Sequence, residues 1–373
     1  MIELEQIFFE LIGVSIGTQD RLSRLPSEAE WEELFEMAVK QSLVGVCFCG
    51  IHQLGADSDE GYVQIGMSEE LYFDWMGMAA QINMRNEQVN EQCVALQRKF
   101  STDGYGTAIL KGQDYARYYK NEATEDDLRL FRQSGDIDLW VDGKMDDVIK
   151  YVRSMGIEIG HIDIKHSDIH FFEDTEVEVH FRPSWMYCPL TGKKLVEWFH
   201  TFELEKFETV ENGKGAIVVP PLEFSLVYSM LHIYRHFFSE GVGLRQVLDY
   251  YFLLNASTEV QRNGALKVLE SLHMKKAVGG IMWVIENTFC GTTLICPSNK
   301  NVGQMLLNEM ITAGNFGHED TRYKHLESSH RWKRGFIGLQ RNWKYLQYFP
   351  EEVLWSPFWK LWHYCWRKRK GYL

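Results

Sequence analysis

Aliphatic and polar positions alternate along residues 135–141, Gly-Asp-Ile-Asp-Leu-Trp-Val. That is the period of an extended strand, so Asp136, Asp138 and Trp140 face one side and Ile137, Leu139 and Val141 the other. The same period runs through residues 175–181, setting Glu176, Glu178 and His180 opposite Val177, Val179 and Phe181. Residues 107–112 read as a buried strand ending in Gly112, with a helix over Gln113–Tyr119 behind it. A strand, a glycine turn and a helix N-terminus together make an anion site.

Elsewhere the apolar spacing is helical. Pro26-Ser27 introduces Glu28–Val39, and Ser68 is the expected N-cap of a long helix from Glu69 to about Phe100. A helix near Met145–Met155 precedes two or three strands that run through Arg182 and stop at Pro183. After Pro220-Pro221, Glu223–Ser239 and Leu244–Leu254 are helical, with Arg245 and Asp249 one turn apart, and the helical pattern continues through residues 255–290. The order predicts an α+β fold with a small mixed sheet and helices on one side of it. Its divisions are a helical region over 1–100, a catalytic core over 101–185 and a mainly α-helical region over 186–373.

Two carboxylates on one strand face repel unless a cation lies between them. Hard oxygen ligands suit Mg²⁺, with Mn²⁺ as its substitute, although such pairs also occur at solvated strand ends. If the 175–181 strand lies beside the first, Glu178 joins Asp136 and Asp138 around one or two ions. Lys111 and Arg132 are the nearest cations, placed either to contact phosphate or to pair permanently with the acids.

The series Leu110-Lys111-Gly112, then Arg132, then Gly135-Asp136-Ile137-Asp138, then Val177-Glu178-Val179-His180 resembles the nucleotidyltransferase superfamily, which has the DNA polymerase beta-like fold. Within it the segments are most similar to a bacterial group labelled uncharacterised nucleotidyltransferases. The resemblance implies that Asp136, Asp138 and Glu178 bind metal and carry catalysis, with the Gly112 turn on the triphosphate; Lys111, Arg132 and Gly135 are the neighbouring candidates for nucleotide contact. It also implies transfer of a nucleotidyl group from an NTP such as ATP to a hydroxyl acceptor, a small molecule, a protein or an RNA. Two departures stand out. Gln113 occupies a slot where many members have Ser or Gly, and the acidic loop 121–127 lengthens the interval before Asp136. They leave room for a second interpretation, a catalytically silent module that binds partners through its helical flanks.

A chain of 373 residues with 45% hydrophobic residues has ample material for a core, and its net charge of −13 argues against coating DNA. The N-terminus carries acids rather than the basic start of a signal peptide, and no apolar run is long enough to span a membrane. Seven scattered cysteines without a CxxC pair read as reduced thiols in a cytoplasmic protein. His232 and His236 sit four apart on a predicted helix, either as a metal pair or, more in keeping with the missing HExxH glutamate, as packing or cleft residues. His161, His166, His170 and His180 cluster in sequence. His170 and His180 are candidates for neighbouring strands, with His180 either an accessory proton carrier or a satisfied strand histidine. The tail over 355–370 mixes tryptophans with a cationic end, which suits a membrane surface, nucleic-acid stacking or a final packed helix.

Overall fold

The computed structural model describes residues 2–55, 61–315 and 342–372. Helices α1 (Ile2–Ile16), α2 (Glu28–Gln41), α3 (Val44–Leu54), α4 (Gly61–Gln64) and α5 (Glu69–Thr102) come first. Then follow β1 (Thr107–Ile109), α6 (Gln113–Ala116), β2 (Ile137–Val141), α7 (Met145–Ser154), β3 (Ile159–Ile162), β4 (His166–Ile169), β5 (Val177–His180) and α8 (Pro189–Phe199). A hairpin of β6 (Glu208–Glu211) and β7 (Ala216–Val219) leads into α9 (Leu222–Ser239), α10 (Leu244–Ala256), α11 (Glu259–Ser271), α12 (Lys275–Thr288), α13 (Lys300–Ala313) and α14 (Pro350–Lys370).

Local chemistry starts the helices where the sequence points. Ser27 forms a reciprocal capping box with Glu30 at the head of α2, and the Ser68 side chain accepts from the Leu71 N–H at the head of α5. The sheet has the order β1-β2-β5-β4-β3; β2 and β5 run parallel and the other neighbours antiparallel. Ile137, Leu139, Val141, Val177 and Val179 form one fully buried face, packed on Val89, Cys93, Leu96 and Phe100 of α5 and on Val148 and Val152 of α7. The opposite face carries the acids, and at its far end Trp140 stacks on Phe224 of α9 with ring centroids 5.6 Å apart. Helices α9 and α10 are buried almost throughout and anchor a second, helical core.

Three local expectations change. The helix expected over Gln113–Tyr119 has four residues, because Tyr119 turns back to accept from the Leu128 N–H and Lys120 bridges Asp127. A single turn sums few peptide dipoles, so the anion site drawn from a helix N-terminus there loses most of its basis. His166, not His170, stands opposite His180, because the β4–β5 register pairs residue 166 with residue 180. The β6–β7 hairpin interrupts the mainly helical region expected over 186–373, and Asn212-Gly213 is its turn signal between two alternating runs. It lies past residue 185 in sequence, yet Ile217 and Val219 belong to the core beneath the sheet.

Among the described residues no helix is long and apolar enough to cross a membrane, and all seven cysteines are free thiols. The tail forms α14, seated by a Glu352–Arg235 ion pair at 2.7 Å and by Trp359 stacked on Trp185 at 3.8 Å. Phe358, Leu361 and Trp362 on the same helix are exposed.

Candidate active site

The parallel register of β2 and β5 sets Asp138 beside Glu178. Asp136 lies just ahead of β2, and one carboxylate oxygen from each of the three acids falls within 4.8 Å of the others. Two unit charges at that spacing repel by roughly 3 kcal/mol at an effective dielectric of 20. The ammonium of Lys111 offsets part of this. Its Nζ lies 3.3 Å from both oxygens of Asp136 and 2.9 Å from Asp138 Oδ2, where a cation bound by the pair would sit. Asp138 is buried, whereas about a quarter of the Asp136 and Glu178 side chains stays open.

His180 is fully buried and turns Nε2 toward the acids, 2.9 Å from Asp138 Oδ1 and 3.1 Å from Glu178 Oε2. Burial alone would raise the Glu178 carboxyl pKa. Lys165, His166 and His180 outweigh burial and hold it well below the ordinary range.

Lys111, Gly112, Arg132, Gly135 and Asp136 line one small cleft, so the residues assigned to the nucleotide are brought together. Gly112 has φ +64°, a conformation side chains rarely adopt, and a Cβ there would meet no atom within 4 Å. Arg132 is committed to Asp249 of α10 through Nε at 2.6 Å and Nη2 at 2.8 Å, while its buried Nη1 has no hydrogen-bond partner among the described residues. Arg245 Nη1 donates to the Gln133 carbonyl and its side chain joins the cleft wall. Ser229 and Gln246 also line the cleft. Nothing in their spacing marks them in sequence, because only the packing of α9 and α10 brings them there.

His232 lines the same cleft, its ring 4.2 Å from that of His236. Burial first, then His236 and Lys111, hold its pKa well below the ordinary histidine value. The metal-capable clusters among the described residues do not include this pair. The two departures noted in sequence are absorbed by packing. Gln113 points away from the cleft and donates to Asn90 Oδ1 of α5 at 2.5 Å. The acidic loop is tied to α1 through Asn121, which donates to the Ser15 carbonyl at 3.0 Å, and to α10 through Glu122, which accepts from the Tyr251 hydroxyl at 2.6 Å.

The profile of the uncharacterised nucleotidyltransferases matches residues 27–290, which span α2 to the end of α12 and include every residue of the acidic face. This chain belongs to that family. Membership of this nucleotidyltransferase family, together with the mixed sheet, supports a nucleotidyl transfer role at the level of reaction class. Among solved structures, an antigenic nucleotidyltransferase-like protein from Paracoccidioides brasiliensis aligns with 58% of this chain and 97% of its own, at 12% identity and a TM-score of 0.34. No curated protein matches.

Proposed function

We propose that this nucleotidyltransferase moves a nucleoside monophosphate from an NTP to an acceptor hydroxyl and releases pyrophosphate, with Mg²⁺ or Mn²⁺ as cofactor. The observation that carries this is the Lys111 ammonium held between Asp136 and Asp138, with Glu178 beside them, a ready-made cation position walled by hard oxygen donors. That donor set fits a divalent ion, and Asp136, Asp138 and Glu178 would hold it. When bound, the ion supplies charge stabilisation at the α-phosphate and a more acidic acceptor hydroxyl.

The chain's own groups do the rest. Lys111, the Gly112 turn, Gly135 and the unpartnered Nη1 of Arg132 orient the phosphates, and Gly112 lets the backbone come close. The acceptor oxygen forms a bond to the α-phosphorus while the α–β bridging P–O bond breaks. The departing pyrophosphate takes that electron pair, and the hydroxyl proton passes to the carboxylate face. The buried aliphatic side of β2 and β5 keeps Asp138 and Glu178 in register throughout.

Incubating the protein with α-labelled NTPs, Mg²⁺ and a cell extract, beside Asp136→Asn, tests the proposal. Label on an extract component with the unmodified protein, reduced at least ~10³-fold in the variant, is the expected result. Equal labelling by both would overturn the assignment. Metal-dependent nucleotide binding without transfer would point to a missing acceptor or activator; loss of binding as well would favour the silent module, although the burial of Gln113 against α5 removes one of the two features that recommended it.

A further inference from the structure

Glu178 has a second set of neighbours on the side away from Asp136. Strand β4 sets His166 across from His180 and Asp168 across from Glu178. His166 Nδ1 lies 2.7 Å from Glu178 Oε2, and His180 Nε2 lies 3.1 Å from the same oxygen. Both imidazoles are at least nine-tenths buried, and the three donor atoms fall within 4.8 Å of one another. Ligands held about 2.1 Å from one ion at right angles stand about 3 Å apart, close to the two separations from Glu178 Oε2.

His166 Nδ1 is buried and only 2.7 Å from the Glu178 carboxylate, a contact that two ligands of one ion also make. Behind the ring, Asp168 Oδ1 lies 3.4 Å from His166 Nε2, so a carboxylate stands on the outer side of the imidazole. The remaining polar neighbours are Lys165, whose Nζ is 3.8 Å from Glu178 Oε2, and Asp138, whose Oδ1 is 2.9 Å from His180 Nε2.

We propose that His166, His180 and Glu178 hold a divalent first-row transition ion, Mn²⁺ or a later member of the row, at a site that shares Glu178 with the acidic face. Imidazole nitrogens select such ions over Mg²⁺, which keeps to oxygen ligands, so one centre would carry two cation positions of different chemistry. The inference concerns ion binding and does not depend on nucleotidyl transfer taking place.

The test is titration of the full chain without nucleotide, using Mn²⁺ followed by electron paramagnetic resonance and Co²⁺ followed by visible absorption. The unmodified protein is expected to bind two Mn²⁺ and to give a saturable Co²⁺ band. His166→Gln keeps a polar contact to Glu178 but no imidazole, and is expected to weaken one Mn²⁺ site roughly 10–100-fold and abolish the Co²⁺ band at unchanged melting temperature. Asp136→Asn is expected to lose the other Mn²⁺ site and keep the Co²⁺ band. If His166→Gln retains the band and both affinities, or if the unmodified protein shows no saturable band, the site does not exist. Neither result bears on the transfer assay with Asp136→Asn, so the two readings fail separately.

Discussion

Asp249 and Asp136 line the same cleft and are built to opposite rules. Asp249 accepts from Tyr119 Oη at 2.6 Å and from two nitrogens of Arg132, and its side chain is 5% exposed. Asp136 is more open and shares one lysine, at longer distance, with a neighbouring acid. The first cluster is a closed ion pair that fastens the 128–135 segment to α10. The second holds a surplus of negative charge, which a folded chain keeps only at a cost and which a cation would relieve. The contrast teaches that a carboxylate with a full set of partners serves the scaffold, while the open acids are the ones the proposed function assigns to chemistry.

The strongest way to break this contrast is to exchange the expected phenotypes. Asp136→Asn should lower transfer at least ~10³-fold, about 4 kcal/mol of barrier, with a melting temperature equal to or above that of the unmodified protein because one repelling charge is gone. Marked destabilisation would place Asp136 in the scaffold instead. Asp249→Ala should act first on stability, costing about 3 kcal/mol in denaturant unfolding because Arg132 is left buried without its carboxylate, and should lower transfer less than Asp136→Asn does. If stability is unchanged while activity vanishes, Asp249 is not a scaffold residue.

A third carboxylate sharpens the comparison through pH. Asp114 is fully buried beside Ser225 and Arg117, and burial pushes its pKa up to about 6 against the opposing pull of Arg117. The folded state therefore holds the proton more tightly than the unfolded chain, so this contribution is complete below the unfolded value of about 3.9 and is lost as pH rises through about 6. Unfolding free energies of the unmodified protein and Asp114→Asn should diverge over that window by roughly 2–3 kcal/mol, the unmodified protein losing more as pH rises. Parallel curves would mean that Arg117 neutralises the group fully. The smallest effect belongs to the cleft backbone. Gly112→Ala should cost roughly 1–2 kcal/mol, from the positive φ alone, since the added methyl meets no atom. A larger loss of nucleotide binding than of stability in that variant would show that the turn meets the ligand.

Much of the site was legible residue by residue. Strand alternation alone put Asp136, Asp138 and Trp140 on one face and Glu178 with His180 on another, and serine caps marked the starts of α2 and α5. These are properties of dihedral period and of first-turn hydrogen bonds, which depend on a few consecutive residues. Gln113 and the acidic loop looked like departures in the site because their partners, Asn90, Ser15 and Tyr251, lie far along the chain. The parallel register that joins Asp138 to Glu178, the choice of Asp249 over the acids for Arg132, and the meeting of His166 with His180 were decided only by tertiary structure. Period tells which face a side chain takes; which strand lies alongside, and which charge becomes dry enough to need a permanent partner, depends on how distant segments pack.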